Sequence, residues 1–314
     1  MTGKDATEVL AADAAGIARA AEVLRAGGLV AVPTETVYGL AARADSAEAV
    51  TNIYRAKGRP DFNPLIVHVS DLAAAERLAV FDGRAQELAA AFWPGPLTLV
   101  LPLREGSPIA PAVTAGLPTI ALRIPAHPAM RALLAETGVP LAAPSGNRSG
   151  GVSPTEPGHV VASLGGAVRL VLDGGRCEQG LESTIAALRD DGSWQLLRPG
   201  PIEKTRISAI LGEPHDVTSA TIEAPGQLAG HYSPGKPVRL DALTAESDEY
   251  WIGFGPVPGD NNLSPSGDLA EAAARLYASL HLAAASEKPR IAVAPIPDQG
   301  IGAAIRDRLT RAAV

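Results

Sequence analysis

At 314 residues the chain exceeds the size at which one hydrophobic core keeps growing, so two domains are expected. Its formal net charge of -7 excludes a nucleic-acid surface built from many phosphate contacts, and 4% aromatics excludes a base-stacking RNA platform. A single cysteine, Cys177, excludes an intramolecular disulfide and a thiolate metal cage, and is expected to be a buried or incidental thiol.

In chain order, Asp13 is placed to cap an Ala-rich helix that runs to Arg25 and is ended by Gly27-Gly28. Leu29–Val32 then reads as a short buried strand. A second helix is expected from Ser46 to Ala56, with Val50, Ile53 and Tyr54 on one face. Further strands are predicted at Leu65–Val69, Leu97–Leu101, Thr119–Ile124, Leu141–Ala143, Val168–Leu172, Ser183–Leu188 and Trp194–Leu197. Helices are predicted at Asp71–Ala79, Gly83–Phe92, Ala129–Glu136 and Gly158–Leu164. The mixture indicates an α/β domain, and the direct strand-to-strand joins exclude a purely parallel sheet.

Gly212 to Pro237 carries Pro214, Pro225, Pro234 and Pro237 with little apolar periodicity, and reads as a connector. Beyond it comes a strand at Tyr250–Phe254, a helix at Asp268–Ala285, a strand at Arg290–Ala294 and a helix at Gly302–Ala312. Leu269, Ala273, Leu276, Leu280 and Ala284 form an apolar stripe on the first of these helices. This is a small Rossmann-like α/β unit. Gly253-Phe-Gly255 lacks the remaining glycine spacing of a dinucleotide fingerprint, so no dinucleotide is assigned there. No run approaches the ~18 apolar residues of a membrane span, and the polar start Met1-Thr-Gly-Lys-Asp5 shows no signal peptide; a cytoplasmic protein is expected.

Four segments carry chemistry. Pro33-Thr-Glu-Thr-Val-Tyr-Gly-Leu40 follows a buried strand, where small hydroxyls suit a ligand-facing strand exit; the alternative is a turn whose threonines cap backbone groups. Arg55, Lys57 and Arg59 then place three cations in five residues, and Lys57 is the only lysine between Lys4 and Lys204. Followed by Asn63 and by His68 on a strand, they make a phosphate or carboxylate receptor; the alternatives are a solvated helix end and a satisfied core histidine. Pro144-Ser-Gly-Asn-Arg-Ser-Gly-Gly-Val-Ser153 offers hydroxyls, an amide and close backbone approach to a polyphosphate, or else is a serine-rich surface loop. It is neither a Walker A loop nor a kinase loop. Last, Gly180-Leu-Glu-Ser-Thr-Ile185 and Leu197-Arg-Pro-Gly-Pro201 bring Ser183 and Arg198 to two further strand edges.

Together, Pro-Thr-Glu-Thr-Val-Tyr-Gly-Leu, Lys-Gly-Arg-Pro with Asn-Pro-Leu, Pro-Ser-x-Asn-x-Ser-Gly, and Ser-Thr-Ile with Leu-Arg-Pro-Gly resemble the YrdC-like domain of threonylcarbamoyl-AMP synthases. Pro225-Gly-Gln-Leu-Ala-Gly-His-Tyr-Ser-Pro234 resembles the connector of the long form, and Asp268–Val314 its C-terminal domain. The resemblance implies a YrdC-like twisted mixed sheet over 1–205, a linker with an active-site lid over 206–237, and a small Rossmann-like domain over 238–314. It implies synthesis of threonylcarbamoyl-AMP and pyrophosphate from L-threonine, bicarbonate or CO2, and ATP. The product would pass to a tRNA threonylcarbamoyl transferase complex, with no strong direct tRNA binding and no membrane partner. Thr36, His68, Arg123 and Ser183 would hold L-threonine. Lys57, Arg59, Asn63, Thr119, Ser145, Asn147, Ser153 and Arg198 would surround ATP, with Lys57 and Arg59 catalytic and His231 and Tyr232 as a lid. Mg2+ would arrive with ATP, without a protein metal site.

Two departures from the pattern are Gly146, where many relatives carry alanine, and a C-terminal domain that is short for the long form. The rival readings are a carbamoyl-transferring relative acting on carbamoyl phosphate and a non-catalytic RNA-binding module. The connector and the missing companion domains count against the first. The acidic charge counts against the second.

Overall fold

The structure is a computed structural model that describes residues 7–215, 222–227 and 230–314. The polar start at Met1 to Asp5 and part of the connector, including Leu228 and Ala229, lie outside the described residues.

The first domain opens with β1 (Glu8–Ala11), α1 (Ala14–Arg25), β2 (Val30–Val32), β3 (Gly39–Arg43), α2 (Ala47–Lys57) and β4 (Ile66–His68). Asp13 caps α1 by accepting from Gly16 N, and Ser46 caps α2 by accepting from Ala49 N, each satisfying an orphan amide of the first turn. Next come α3 (Leu72–Glu76), α4 (Gly83–Phe92), β5 (Leu97–Pro102), α5 (Pro111–Thr114), β6 (Thr119–Arg123), α6 (Pro128–Thr137) and β7 (Leu141–Ala142). The domain closes with α7 (Pro157–Leu164), β8 (Leu170–Asp173), β9 (Thr184–Leu188), β10 (Trp194–Arg198) and α8 (Lys204–Leu211). All ten strands join one mixed sheet in the order β1-β8-β2-β3-β7-β4-β6-β5-β9-β10.

Period-two alternation divides the side chains of this sheet between two faces. Val67, Leu97, Leu99, Leu101, Leu122, Ala186 and Leu188 point to the larger core, with Ile53, Leu88 and Val160 of the covering helices. On the opposite face, α1 and α6 cover only the part around β8, β2, β3 and β7, through Leu24, Met130 and Leu133. The other half of that face carries a small apolar cluster of Ile66, Val100, Ala121, Ile185 and Ala187, met by Ala224 of the connector. The functional cleft forms beside it.

The second domain contains β11 (Val238–Arg239), β12 (Glu249–Gly253), β13 (Asn261–Asn262), α9 (Leu269–Ala285), β14 (Arg290–Val293) and α10 (Ile301–Ala312). Its four strands form a parallel sheet in the order β11-β14-β12-β13, packed on the apolar stripe of α9 and on α10. Leu181, Val37 and Tyr232 belong to this same core, so the domains share apolar packing. Gly180 makes the approach possible: at φ +67° a Cβ there would meet the α9 backbone at 2.4–2.6 Å.

Several elements escape the sequence reading. β1 has an exposed, non-alternating pattern; β3 hides in a motif read for chemistry; β11 and β13 have two residues each. The expected break between 205 and 206 falls inside α8, whose Ile207 packs into the first core.

Candidate active site

The cleft opens where β4, β6 and β10 end and β9 begins, and where the connector crosses them; its cavity volume is about 40 Å3. Parallel pairing of β4 with β6 puts His68 beside Arg123, and both line one end. The Arg123 guanidinium is fixed on three sides: Nε donates to Gly95 O at 3.1 Å, Nη1 to Thr36 Oγ1 at 3.0 Å, and Nη2 to Glu35 Oε1 at 2.5 Å. Burial favours a neutral Glu35, but the Arg123 charge and hydrogen bond outweigh it and hold the carboxyl below its ordinary range. Its second oxygen accepts the backbone amides of Ala126 and His127. Thr34 joins by sharing a 2.8 Å hydroxyl contact with Thr36. Burial, then the Arg123 charge, depress His68 to about 3, so it is neutral, and its Nδ1 has no hydrogen-bond partner among the described residues.

At the other end Arg198 donates from Nε to Ser183 O at 3.0 Å, from Nη2 to Ser183 Oγ at 3.1 Å, and from Nη1 to Pro225 O of the connector at 3.3 Å. Ser183 Oγ also meets Thr98 Oγ1 at 2.7 Å. Arg59 lines the same end, held by the carbonyls of Asn63 and Pro64 at 3.2 and 2.9 Å. Burial depresses Arg59 to about 10, with the Arg198 charge adding to the effect. Burial lowers Arg198 as well. Two buried guanidiniums within each other's field form a site that a polyanion would relieve.

Lys57 stands behind this wall rather than in it. Its ammonium donates to the carbonyls of Ser145, at 2.5 Å, and of Asn147, while its own carbonyl accepts Ser149 N at 2.8 Å. The expected phosphate-facing cation thus anchors the serine loop, and Ser145 of that loop lines the cleft. Burial, then the Arg59 charge, lowers the Lys57 pKa well below its ordinary value. Asn147 ties the loop through Nδ2 to Gly151 O and leaves Oδ1 buried without a partner among the described residues; Asn63 Oδ1 is in the same state. A Cβ at Gly146 would meet nothing closer than 3.4 Å, so alanine fits there.

Ser153 lies behind the lining, donating to Glu182 Oε1 at 2.5 Å. Thr119 is outside the lining too. It shares the sheet face of Arg123 but starts the strand that Arg123 ends, roughly 13 Å away at 3.3 Å per residue. His231 and Tyr232 line the cleft from the connector, their rings 4.1 Å apart at 71°. Tyr232 is buried, with φ +65° and a hydroxyl that has no hydrogen-bond partner among the described residues. Gly226, at φ +92°, passes so close that a Cβ would sit 3.0 Å from Arg198 Cδ and 3.3 Å from the Tyr232 hydroxyl.

The sequence reading missed the carboxylates. Glu35 and Glu182 each lie inside a quoted motif, and the signal was a single acid among buried arginines that require compensation. It also missed Tyr277 and Arg308, which reach Glu182 from α9 and α10.

Convergent arginines beside the strand exits of a mixed sheet, covered by a connector and a second α/β unit, place the chain in the YrdC-like fold class. Residues 22–200 match the Sua5, YciO and YrdC family described as telomere recombination, and 202–314 match the threonylcarbamoyl-AMP synthase C-terminal domain. The threonylcarbamoyl-AMP synthase of Bacillus subtilis is 39% identical, covering 98% of this chain and 96% of its own. A crystal structure of Pyrococcus abyssi Sua5 complexed with L-threonine aligns with a TM-score of 0.90 at 34% identity, over 98% of both chains. Escherichia coli YciO, at 23% identity and a TM-score of 0.56, covers 64% of this chain and all but 1% of its own, and shares the fold. The chain belongs to the threonylcarbamoyl-AMP synthase family, in its long two-domain form. No helix among the described residues is long and apolar enough to cross a membrane.

Proposed function

We propose that the protein is a nucleotidyltransferase that makes threonylcarbamoyl-AMP and pyrophosphate from L-threonine, bicarbonate or CO2, and ATP. The observation that carries this reading is the convergence of Arg123, Arg59 and Arg198 on one cleft from three separate stretches of chain. The threonine amine adds to CO2 and loses a proton, giving a carbamate. A carbamate oxygen attacks the α-phosphorus, the bond from that phosphorus to the α,β-bridging oxygen breaks, and the β- and γ-phosphates leave together as pyrophosphate. Two anions must approach, so the chemistry needs fixed cations and orientation, not a covalent protein nucleophile.

Arg123 has two N–H groups beyond its three protein bonds, suited to the threonine carboxylate. Neutral His68 and Thr36 stand beside it for the amine and hydroxyl, with Ser183 reaching the substrate from the Arg198 end. The L-threonine complex of the Pyrococcus abyssi relative supports threonine as a substrate. Arg59 and Arg198 are suited to the phosphates, with Lys57, Asn63, Asn147, Ser145 and Ser153 behind and beside them. Thr119, on the same face past the apolar cluster, is suited to the far part of the nucleotide. His231 and Tyr232 shelter a labile carbamate and mixed anhydride from water.

Among the described residues no group of three or more His, Cys, Asp or Glu side chains could hold a metal, and the nearby Glu35 and Glu182 pair with arginines. The residues therefore do not fit a resident Mg2+; a magnesium ion would enter on the triphosphate. Transfer of the product to a tRNA-modifying transferase, in the cytoplasm, completes the reading. Pyrophosphate release from ATP tests it: release is expected only with L-threonine and bicarbonate both present. Equal release with carbamoyl phosphate in their place would overturn it.

A further inference from the structure

The second domain reaches Glu182 on the cleft wall through two fully buried side chains, Arg308 and Tyr277. Arg308 on α10 donates from Nε to Glu182 Oε2 at 3.0 Å and from Nη1 to Pro199 O and to Asp307 Oδ2, both at 2.8 Å. Tyr277 on α9 gives its hydroxyl to the same Glu182 oxygen at 2.8 Å. Arg308 also lies 5.5 Å from the ring centre of Tyr232, which stacks at 5.6 Å on Tyr277. Glu182 is the one carboxylate among the described residues lining the cleft, and it stands at the end occupied by Arg59 and Arg198. Burial favours its neutral form, but Arg308 and Arg198, with Ser153 and Tyr277, take it down to about 2, so it is an anion.

An anion there has two ways to harm a phosphate site. It repels the triphosphate directly, and it competes for the guanidinium that the triphosphate needs. Both are suppressed if a cation from behind the wall holds the carboxylate. On the reading that this end takes ATP, we propose that Arg308 is a positioning residue for the nucleotide. Through it the C-terminal domain neutralises and anchors Glu182, leaving Arg59 and Arg198 to the phosphates. The C-terminal domain then forms part of the phosphate site without touching substrate.

Titration calorimetry with α,β-methylene ATP, and separately with L-threonine, on the full chain tests this. Arg308→Met should weaken the nucleotide analogue about tenfold or more while threonine affinity stays within about twofold. Glu182→Gln should bind the analogue more tightly than the parent protein. The double variant should recover nucleotide affinity to within about threefold of the parent. That recovery separates charge from packing, because a merely structural arginine would leave the double variant as defective as the single one. Persistent loss in the double variant, parallel loss of threonine, or no loss in Arg308→Met overturns the inference. If Arg308→Met alone does not fold, the double variant against Glu182→Gln decides: an analogue affinity more than about tenfold weaker overturns the inference, and a smaller difference supports it. A parent protein that binds threonine but no nucleotide analogue would overturn the functional reading itself, and with it this role.

Discussion

The two ends of the cleft hold their arginines in different ways. Arg123 has its carboxylate, its hydroxyl and its carbonyl partners in the first domain: Glu35, Thr36 and Gly95. The Arg198 end draws on three regions, since Ser183 belongs to the first domain, Pro225 to the connector, and Arg308 and Tyr277 hold Glu182 from the second domain. One end is therefore finished when the first domain folds. The other is finished only when the domains pack. On the proposed reading, the amino-acid site is ready on such a frame, while the nucleotide site, completed by docking, responds to closure.

The largest expected effect probes the self-contained end. Glu35→Ala leaves Arg123 buried without its anion, and breaking such a pair costs about 3–5 kcal/mol of stability, read by urea unfolding. Threonine affinity should fall in the folded protein and nucleotide affinity should not; a parallel fall in both would mean that the ends are one unit. At the other end, Arg59→Met should lower kcat/KM for ATP by an amount equivalent to about 2–4 kcal/mol of transition-state stabilisation. Steady-state pyrophosphate release measures it, and unchanged kinetics would take Arg59 off the phosphates.

This contrast was only half legible in the sequence. The motifs located the strand exits and the cations, because strand, turn and charge signals are local. Arg123, Arg198, Arg59, His68 and Ser183 accordingly meet in one cleft. What a cation binds is not local. Lys57 carried the strongest charge signal, yet its ammonium goes to the carbonyls of Ser145 and Asn147, nearly ninety positions away. Glu182 looked like an ordinary loop acid because its partners Tyr277 and Arg308 are 95 and 126 residues distant. In the fold, the same limit hid β1, a mostly exposed edge strand defined by pairing with β8 more than 150 residues later.

A smaller effect comes from pH. His68 titrates near 3 in the folded protein, held down by burial and by Arg123, against 6.5 ordinarily. The unfolded chain therefore binds a proton between those values that the native state does not, so stability is full above about 6.5 and falls as pH drops toward 3. One such group gives a slope of about 1.4 kcal/mol per pH unit. Urea unfolding from pH 7 to 4 should show His68→Gln with a shallower decline than the parent. His231 is depressed to about 4, chiefly by burial, and has the same sign. Being on the connector, it can gain its proton by local opening, so His231→Gln should change global unfolding less. Equal flattening by both variants would place the connector and the first domain in one cooperative unit.

The mildest probe is Cys177, which is buried in the first domain's core. Burial pushes its thiol up to about 12, with the backbone of Thr34 and the charges of Glu35 and Arg123 also acting on it. It therefore reports on the region behind Arg123. At pH 8 almost none of it is thiolate, and alkylation requires exposure as well as ionisation. Iodoacetamide followed by mass spectrometry should label it fully in denaturant and barely in the native protein. The informative comparison is the double variant His231→Ala, Tyr232→Ala, which removes the cover from the cleft without touching the Arg123 cradle. If the Arg123 end is complete within the first domain, this variant labels as slowly as the parent. Faster labelling would mean that the connector holds that end shut as well, and the distinction between a finished site and an assembled one would fail.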